Sequence, residues 1–325
     1  MLRKHRLVNF IKIGCHKGFL TKYRGYKVAK KLFREMNMKK QVFWYLCCSW
    51  LILMGFSEAG ELTVGTFFSD NMVLQRDKAV LLRGSAGPGK VVEVNFNGQT
   101  ASSKADESGW WSVSLKPMTA SSTPQKLEVS SGSEKVSRSN ILIGDVLLVG
   151  RQTSVDISLG RDASGKKSAK NYVKNDLVRA IVIKTLPSRT PLNDLPANST
   201  AGWGVIDFEM AQSMTGSTFY MAQELANEMK VPLGIVDLNM GHQFPIAWLS
   251  REALDQTEKF YGKSNVPGWL KYFETQIAVV YEGAEPPKKF KAIKVPENHA
   301  LFPAGGHNAV LNPLRGVALK SVLVQ

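Results

Sequence analysis

The chain has 325 residues, 44% of them hydrophobic and 21% charged, and its 42 Lys and Arg outnumber 27 Asp and Glu to give a formal charge of +15. That charge is lopsided: residues 1–60 hold 13 of the bases with only Glu35 and Glu58, leaving 29 bases against 25 acids downstream. A nucleic-acid-binding module needs its basic charge on the folded part, so no nucleic-acid partner is expected.

The front of the chain reads as a targeting segment. Met36-Asn37-Met38-Lys39-Lys40 is a short positive n-region, Val42 to Phe56 an apolar run, and Ser57-Glu58-Ala59 a small-x-small cleavage site. The apolar run is shorter than the roughly 20 residues of a spanning helix. A cleaved signal peptide over about 36–59, an exported protein and no stable membrane span after cleavage are therefore expected. Counted from Met1 the n-region is far too long, so translation is expected to begin at Met36 or Met38, with residues 1–35 an over-extended start. A basic amphipathic targeting extension is the alternative. Cys15, Cys47 and Cys48 all lie in this front part, so a mature chain from about Gly60 has no disulfide, thiolate metal site or cysteine nucleophile.

From Leu62 to about Asn140 short β-rich runs alternate with turn residues. VVEVNF (Val91–Phe96) runs into Asn97-Gly98, the strongest short hairpin signal. WWSVSL (Trp110–Leu115) and KLEVSSG (Lys126–Gly132) follow, and a small antiparallel β-sandwich over 60–140 is expected. Trp110 and Trp111 offer a sugar-stacking platform, or one fills the core while the other packs at the rim.

After Ile141 strands alternate with helical stretches. ILIGDVLLVG reads as a buried parallel strand, and Leu177–Thr185 and Leu233–Leu238 as two more. Ser213–Lys230 reads as a helix capped by Ser213 or Thr215 and ended by Val231-Pro232. Arg251–Asp255 and Leu270–Tyr281 are further helices, and Glu282–Pro296 is a proline- and lysine-rich loop. This is an α/β pattern, whose chemistry sits in the loops leaving the carboxyl ends of the parallel strands. Two loops qualify, one within GDVLLVGRQTSVD (Gly144–Asp156) and one within GIVDLNMGHQFPIAWLS (Gly234–Ser250).

These two blocks, with FFSDNMVLQRDKAVLLRGSAGPGKVVEVNFNGQ (Phe67–Gln99) and NAVLNPLRGVALKSVLVQ (Asn308–Gln325), resemble the sialate O-acetylesterase family, a branch of the SGNH (GDSL-like) hydrolases. Phe67–Gln99 is similar to the family's opening LFSDxMVLQR segment and the FNG that follows it. The family's first block runs GDVW, two small or apolar positions, then SGQSNM; Gly144, Asp145, Val146 and Gln152 match it. The nucleophilic serine then falls on Thr153, the next asparagine on Ser154, and the preceding Ser-Gly pair on Gly150-Arg151. The second block, ending WGGTPxEAWxS, is echoed by Gly234, Ile235, Asp237, Gly241, Pro245, Ala247, Trp248 and Ser250. The likeness runs from about Leu62 to the last residue.

The resemblance implies an N-terminal β-sandwich followed by an incomplete SGNH, flavodoxin-like three-layer α/β domain over 141–325. It implies a hydrolase of acetyl esters on glycans, with Thr153 at the nucleophile position and Gly241 at the oxyanion-hole position. The family's Gly-Thr after that glycine is replaced by His242-Gln243. Arg151, Gln152, Ser154 and His242 would then face the substrate, an acetylated glycan or sialic-acid-type sugar. Arg151 would place a positive charge at the site mouth and bind a sugar carboxylate, or pair with Asp156. His242 is a stand-in base or a structural residue, and His299 and His307 flank a Gly-Pro-rich loop. The family's third block and its Asp-x-x-His pair would follow Gln325, so catalytic base and orienting acid are expected outside this chain. The open sheet would leave an exposed edge.

A serine esterase needs an activated hydroxyl, a base and N–H donors aimed at the oxyanion. Threonine supplies the hydroxyl, but its extra methyl stiffens χ1 and crowds the attack. Three readings follow: a carbohydrate O-acetylesterase, a non-catalytic glycan-binding pseudoenzyme of the same fold, or a non-functional remnant of the reading frame. Neither a metal nor an organic cofactor is expected, because no His/Asp/Glu group has ligand spacing and Gly84–Gly89 is only a hairpin-like turn.

Overall fold

The computed structural model describes residues 60–152, 157–161, 163–241, 243–257 and 265–324. The expected start and signal segment lie outside them. Residues 58–325 form one compact unit.

Seven strands come first: β1 (Val73–Gln75), β2 (Val80–Ser85), β3 (Val91–Phe96), β4 (Gln99–Lys104), β5 (Trp110–Leu115), β6 (Ser121–Ser131) and β7 (Glu134–Arg151). β3 and β4 form the expected hairpin, with Asn97 (φ +50°) and Gly98 (φ +71°) both left-handed as the tight turn requires. β2 pairs antiparallel with β5, and β4-β3-β6-β7 form an antiparallel run. Both contribute to one apolar core: Leu82, Trp111 and Val113 from the pair, Val92, Val94, Leu127 and Val129 from the run. Trp111 is buried, its Nε1–H shared between the Thr63 and Ser85 carbonyls, while Trp110 is half-buried. Core and rim are thus the roles these two tryptophans take.

Then come α1 (Ala163–Asn171), β8 (Val178–Lys184), β9 (Trp203–Val205), α2 (Phe208–Ser213), α3 (Gly216–Glu228) and β10 (Leu233–Asn239). Next are α4 (Arg251–Asp255), α5 (Val266–Tyr281) and β11 (Ser321–Val324). The helix expected over 213–230 is α3, which starts at Gly216, and a separate short helix, α2, precedes it. Thr215, not Ser213, caps α3: its Oγ1 accepts from the Thr218 N–H at 3.3 Å, and Met214 is extended. α5 starts earlier than expected, at Val266, because Pro267 in the first turn needs no amide partner.

β7 changes partners along its 18 residues. Its first part pairs antiparallel with β6 and alternates half-buried and exposed positions. From Ile141 every residue is buried, and the strand pairs in parallel with β1, β10 and β11. Continuous burial is what a strand covered on both faces demands. Leu147, Val149, Leu233 and Ile235 pack against Ala211, Phe219 and Ala222 of α2 and α3. Val146, Leu148, Val236 and Leu238 join the first core together with Trp248 and Val310. β11 lies beside β7 with all four residues exposed, among them Val322 and Val324.

The opening segment and the Gly144-Asp145 pair are one structural unit. Arg76 donates to both oxygens of the buried Asp145 carboxylate, from Nε at 2.8 Å and Nη2 at 3.0 Å. Gln75 donates to Asp145 and accepts from the Val146 N–H at 2.8 Å. Burial alone would raise the Asp145 pKa, but the hydrogen bonds from Arg76 and Gln75 and the Arg76 charge outweigh it and hold the carboxyl below its ordinary value. A depressed folded-state pKa stabilises above the unfolded pKa, and that contribution is lost as pH falls through the folded value. Urea midpoints measured from neutral to acid pH should therefore fall less steeply in Asp145→Asn than in the parent, after a loss of roughly 1–3 kcal/mol at neutral pH. Parallel curves would remove Asp145 as the source.

Candidate site at the strand ends

β7 and β10 lie side by side with Gly150 opposite Leu238 and Arg151 opposite Asn239. Their carboxyl ends therefore deliver Gln152 and Met240-Gly241 to one edge of the sheet. Met240 N–H donates to the Arg151 carbonyl at 2.9 Å and ties the two exits together. Thr153, Ser154, Asp156 and His242 lie outside the described residues.

Gly241 has φ +62°, which glycine adopts without strain, and an added Cβ would meet nothing within 4 Å. Its backbone is therefore open to close approach. Its N–H, however, donates to Asn239 Oδ1 at 2.7 Å, so an oxyanion seated there would have to displace the asparagine.

Arg151 is not at the site mouth. Its side chain is 1% exposed and is paired with Asp237, itself fully buried, through Nε at 2.5 Å and Nη2 at 3.3 Å. The expectation of a substrate-facing positive charge is corrected by position: residue 151 still belongs to the strand, and its side chain is enclosed with Asp237 and Thr218. Burial pushes the Asp237 carboxyl up, with the Arg151 hydrogen bond and charge opposing it. Asp237 was legible as a carboxylate inside the apolar run Leu233–Leu238, a placement that demands a partner; only the partner's identity was hidden.

His299 is structural: Nδ1 accepts from the Leu301 N–H, and the ring lies 5.3 Å from that of Phe273. His307 begins a π-helical turn to Leu311 and lines a cleft of about 800 Å³ that also presents Arg189, Arg251, Arg315, Glu252 and Glu274. Asn308 in the same turn donates to the carbonyls of Ser188 and Arg189, both at 3.1 Å, fixing the loop after β8.

A second cavity, of about 420 Å³, opens between the ends of β7, β10 and β11, with Gln152, Leu238, Met240, Gln243 and Trp248 on its walls. From the sequence, the resemblance puts the bulk of Gln243 into the pocket, whereas Trp248 was singled out only as a match to the second block. Gln243 is 7% exposed, and neither its amide atoms nor Trp248 Nε1 has a hydrogen-bond partner among the described residues. No group of three or more His, Cys, Asp or Glu suited to a metal is found among the described residues, and no helix there is long and apolar enough to cross a membrane.

No family model matches the chain, and no curated protein does. A bacterial immunoglobulin-like domain from the M. primoryensis ice-binding adhesin aligns with 26% of this chain and 97% of its own at 23% identity, with a TM-score of 0.18, too partial a likeness to bear on the fold. A carbohydrate acetylesterase from Xanthomonas citri aligns with 81% of this chain at 22% identity and a TM-score of 0.62. The chain spans half the length of that protein. At this level of identity the likeness is one of fold: over the aligned part the chain shares the mixed α/β fold of that protein.

Proposed function

We propose that the edge formed by β7 and β10 recognises acyl esters of carbohydrates, and that the protein is an exported carbohydrate O-acetylesterase of the sialate O-acetylesterase type. The reading is carried by the juxtaposition of Gln152, which precedes Thr153, with the open, left-handed Gly241 on adjacent parallel strands. In this reading the Thr153 hydroxyl attacks the ester carbonyl, its proton passing through a general base to the departing sugar oxygen, Gly241 N–H receives the developing oxyanion once Asn239 yields it, and water then hydrolyses the acyl-threonine. The β-sandwich over 60–140 and the flavodoxin-like domain over 141–325 are part of the same proposal, as are the signal peptide and the acetylated or sialic-acid-type sugar.

A second reading has its own support. With threonine at the nucleophile position and Gly241 N–H already bonded to Asn239, the same edge serves as a non-catalytic glycan-binding site. Purified full-length protein separates the two on an O-acetylated sugar. Under the esterase reading Thr153→Ala lowers kcat/KM by roughly a thousandfold or more, and Thr153→Ser raises it. Turnover that survives Thr153→Ala rules out this nucleophile. Binding of the glycan without turnover establishes the second reading.

A further inference from the structure

The segment from α1 to the start of β8 departs from the near balance of charge downstream of residue 60. Residues 163–176 carry Lys166, Lys167, Lys170 and Lys174 against Asp176 alone. All five are exposed, because α1 packs inward through Gly165 and Ala169. Lys174 is paired with Asp176 at 3.2 Å, and the other three lysines have no acidic partner among the described residues. Beside them lies a third concavity, of about 810 Å³, with Lys167, Asn171 and Lys174 on one side and Tyr220, Gln223 and Asn227 of α3 on the other. Glu224 and Glu228 take intervening positions of α3 and do not line it. The Tyr220 ring is 47% exposed and fixed at both ends: its hydroxyl donates to Ser168 Oγ at 2.8 Å, and its centroid lies 5.5 Å from that of Phe219 in an edge contact. A ring held this way offers a flat apolar face with little freedom left to lose. The amides of Asn171, Gln223 and Asn227 make no hydrogen bond among the described residues, so each keeps donors and an acceptor for a hydroxyl.

We propose that this concavity binds an anionic sugar polymer, carboxylated or sulfated. Tyr220 stacks on the apolar face of a sugar ring, the three amides meet its hydroxyls, and Lys167 with Lys166 and Lys170 neutralises its charge. The concavity lies at the amino ends of the parallel strands: residues 172–176 lead directly into β8, whereas Gln152 and Gly241 are at the carboxyl ends. The seven residues of β8 set the two edges roughly 20 Å apart. This is therefore a second binding site, separate from the edge formed by β7 and β10. A polymer held there anchors the protein and raises the concentration of neighbouring sugar units at the opposite edge. The proposal goes beyond the ester reading and stands without it.

Titration calorimetry of the full-length protein tests it with polygalacturonate, carrageenan, a neutral galactan and polyglutamate. At least one of the two charged glycans is expected to bind roughly tenfold or more tightly than galactan and polyglutamate, and less tightly as salt rises. Tyr220→Ala is expected to weaken that binding about fivefold or more. Lys167→Gln with Lys170→Gln is expected to weaken it about tenfold at low salt and far less at high salt. Both variants change exposed side chains, so urea midpoints close to the parent's separate lost recognition from lost folding. Binding of neither charged glycan overturns the site. Equal binding of polyglutamate also overturns it, because only attraction between opposite charges is then left. Binding that survives Tyr220→Ala does the same, as does binding lost in Gln152→Ala, which places the polymer at the strand ends.

Discussion

Gly144→Ala is expected to cost about 3 kcal/mol or more of unfolding free energy, the upper end of what overpacking a core exacts. An added Cβ would sit 1.9 Å from the Pro232 carbonyl oxygen and 2.6 Å from its carbon, both backbone atoms with no rotamer to yield. That same oxygen accepts the Asp145 N–H at 2.9 Å, and the next residue, Leu233, opens the register of β10 against β7. The alanine must therefore displace the entry of the central strand, and with it the exit that carries Gly241. Gly268→Ala is the matched control: it lies in α5, an added Cβ there meets nothing within 4 Å, and it should gain roughly 0.5–1 kcal/mol in helix propensity. Urea unfolding followed by circular dichroism reads both. A Gly144→Ala midpoint equal to the parent's would mean that β7 and the Pro232 turn separate at little cost.

The second large effect belongs to the pair beneath the site. Asp237→Leu strands the Arg151 guanidinium in the core, and breaking a buried pair from one side typically costs about 3–5 kcal/mol. The double replacement Arg151→Met with Asp237→Leu removes both charges and should recover most of that loss, because a buried pair contributes little net stability over apolar residues of similar size. Loss in the double variant as large as in the single would show that the charges themselves, rather than the imbalance, hold the strands. Both proteins should be assayed for ligand binding, since Arg151 immediately precedes Gln152 and its pairing sets where that loop leaves the sheet.

Much of the scaffold was legible because it rests on local chemistry. Asn97-Gly98 specifies its turn by left-handed backbone, and the shift in β7 from alternation to a largely apolar run marks where the strand becomes buried on both faces. Thr215 was one of two candidate caps, and only the extended backbone at Met214 decides between them. The site was less legible. Arg151 read as a mouth-facing charge because its partner is 86 positions away, and spacing along a chain carries no information about which of two acids faces it. Gln243 and Trp248 were invisible as a pair for the same reason: what joins them is the close approach of Gly306, from a segment some sixty residues later. The role of Gln75 and Arg76 was equally hidden until Asp145 was seen between them.

The changing partnership of β7 has a kinetic consequence. Its first half can pair with β6 as soon as residue 143 has been made, across a turn at Gly132. Its second half finds β1 already made beside Leu142–Gly144, but from Asp145 on it must wait for β10, which begins at Leu233, and for β11, which begins at Ser321. Long-range parallel pairing is slow because chain closure precedes any reward. During synthesis, at roughly 5–20 residues per second, the apolar stretch Val146–Val149 stands ready for several seconds before β10 and β11 exist. Over that interval the nascent chain is most exposed to pairing with another copy of itself, and the speed of β10 docking sets how much of it escapes.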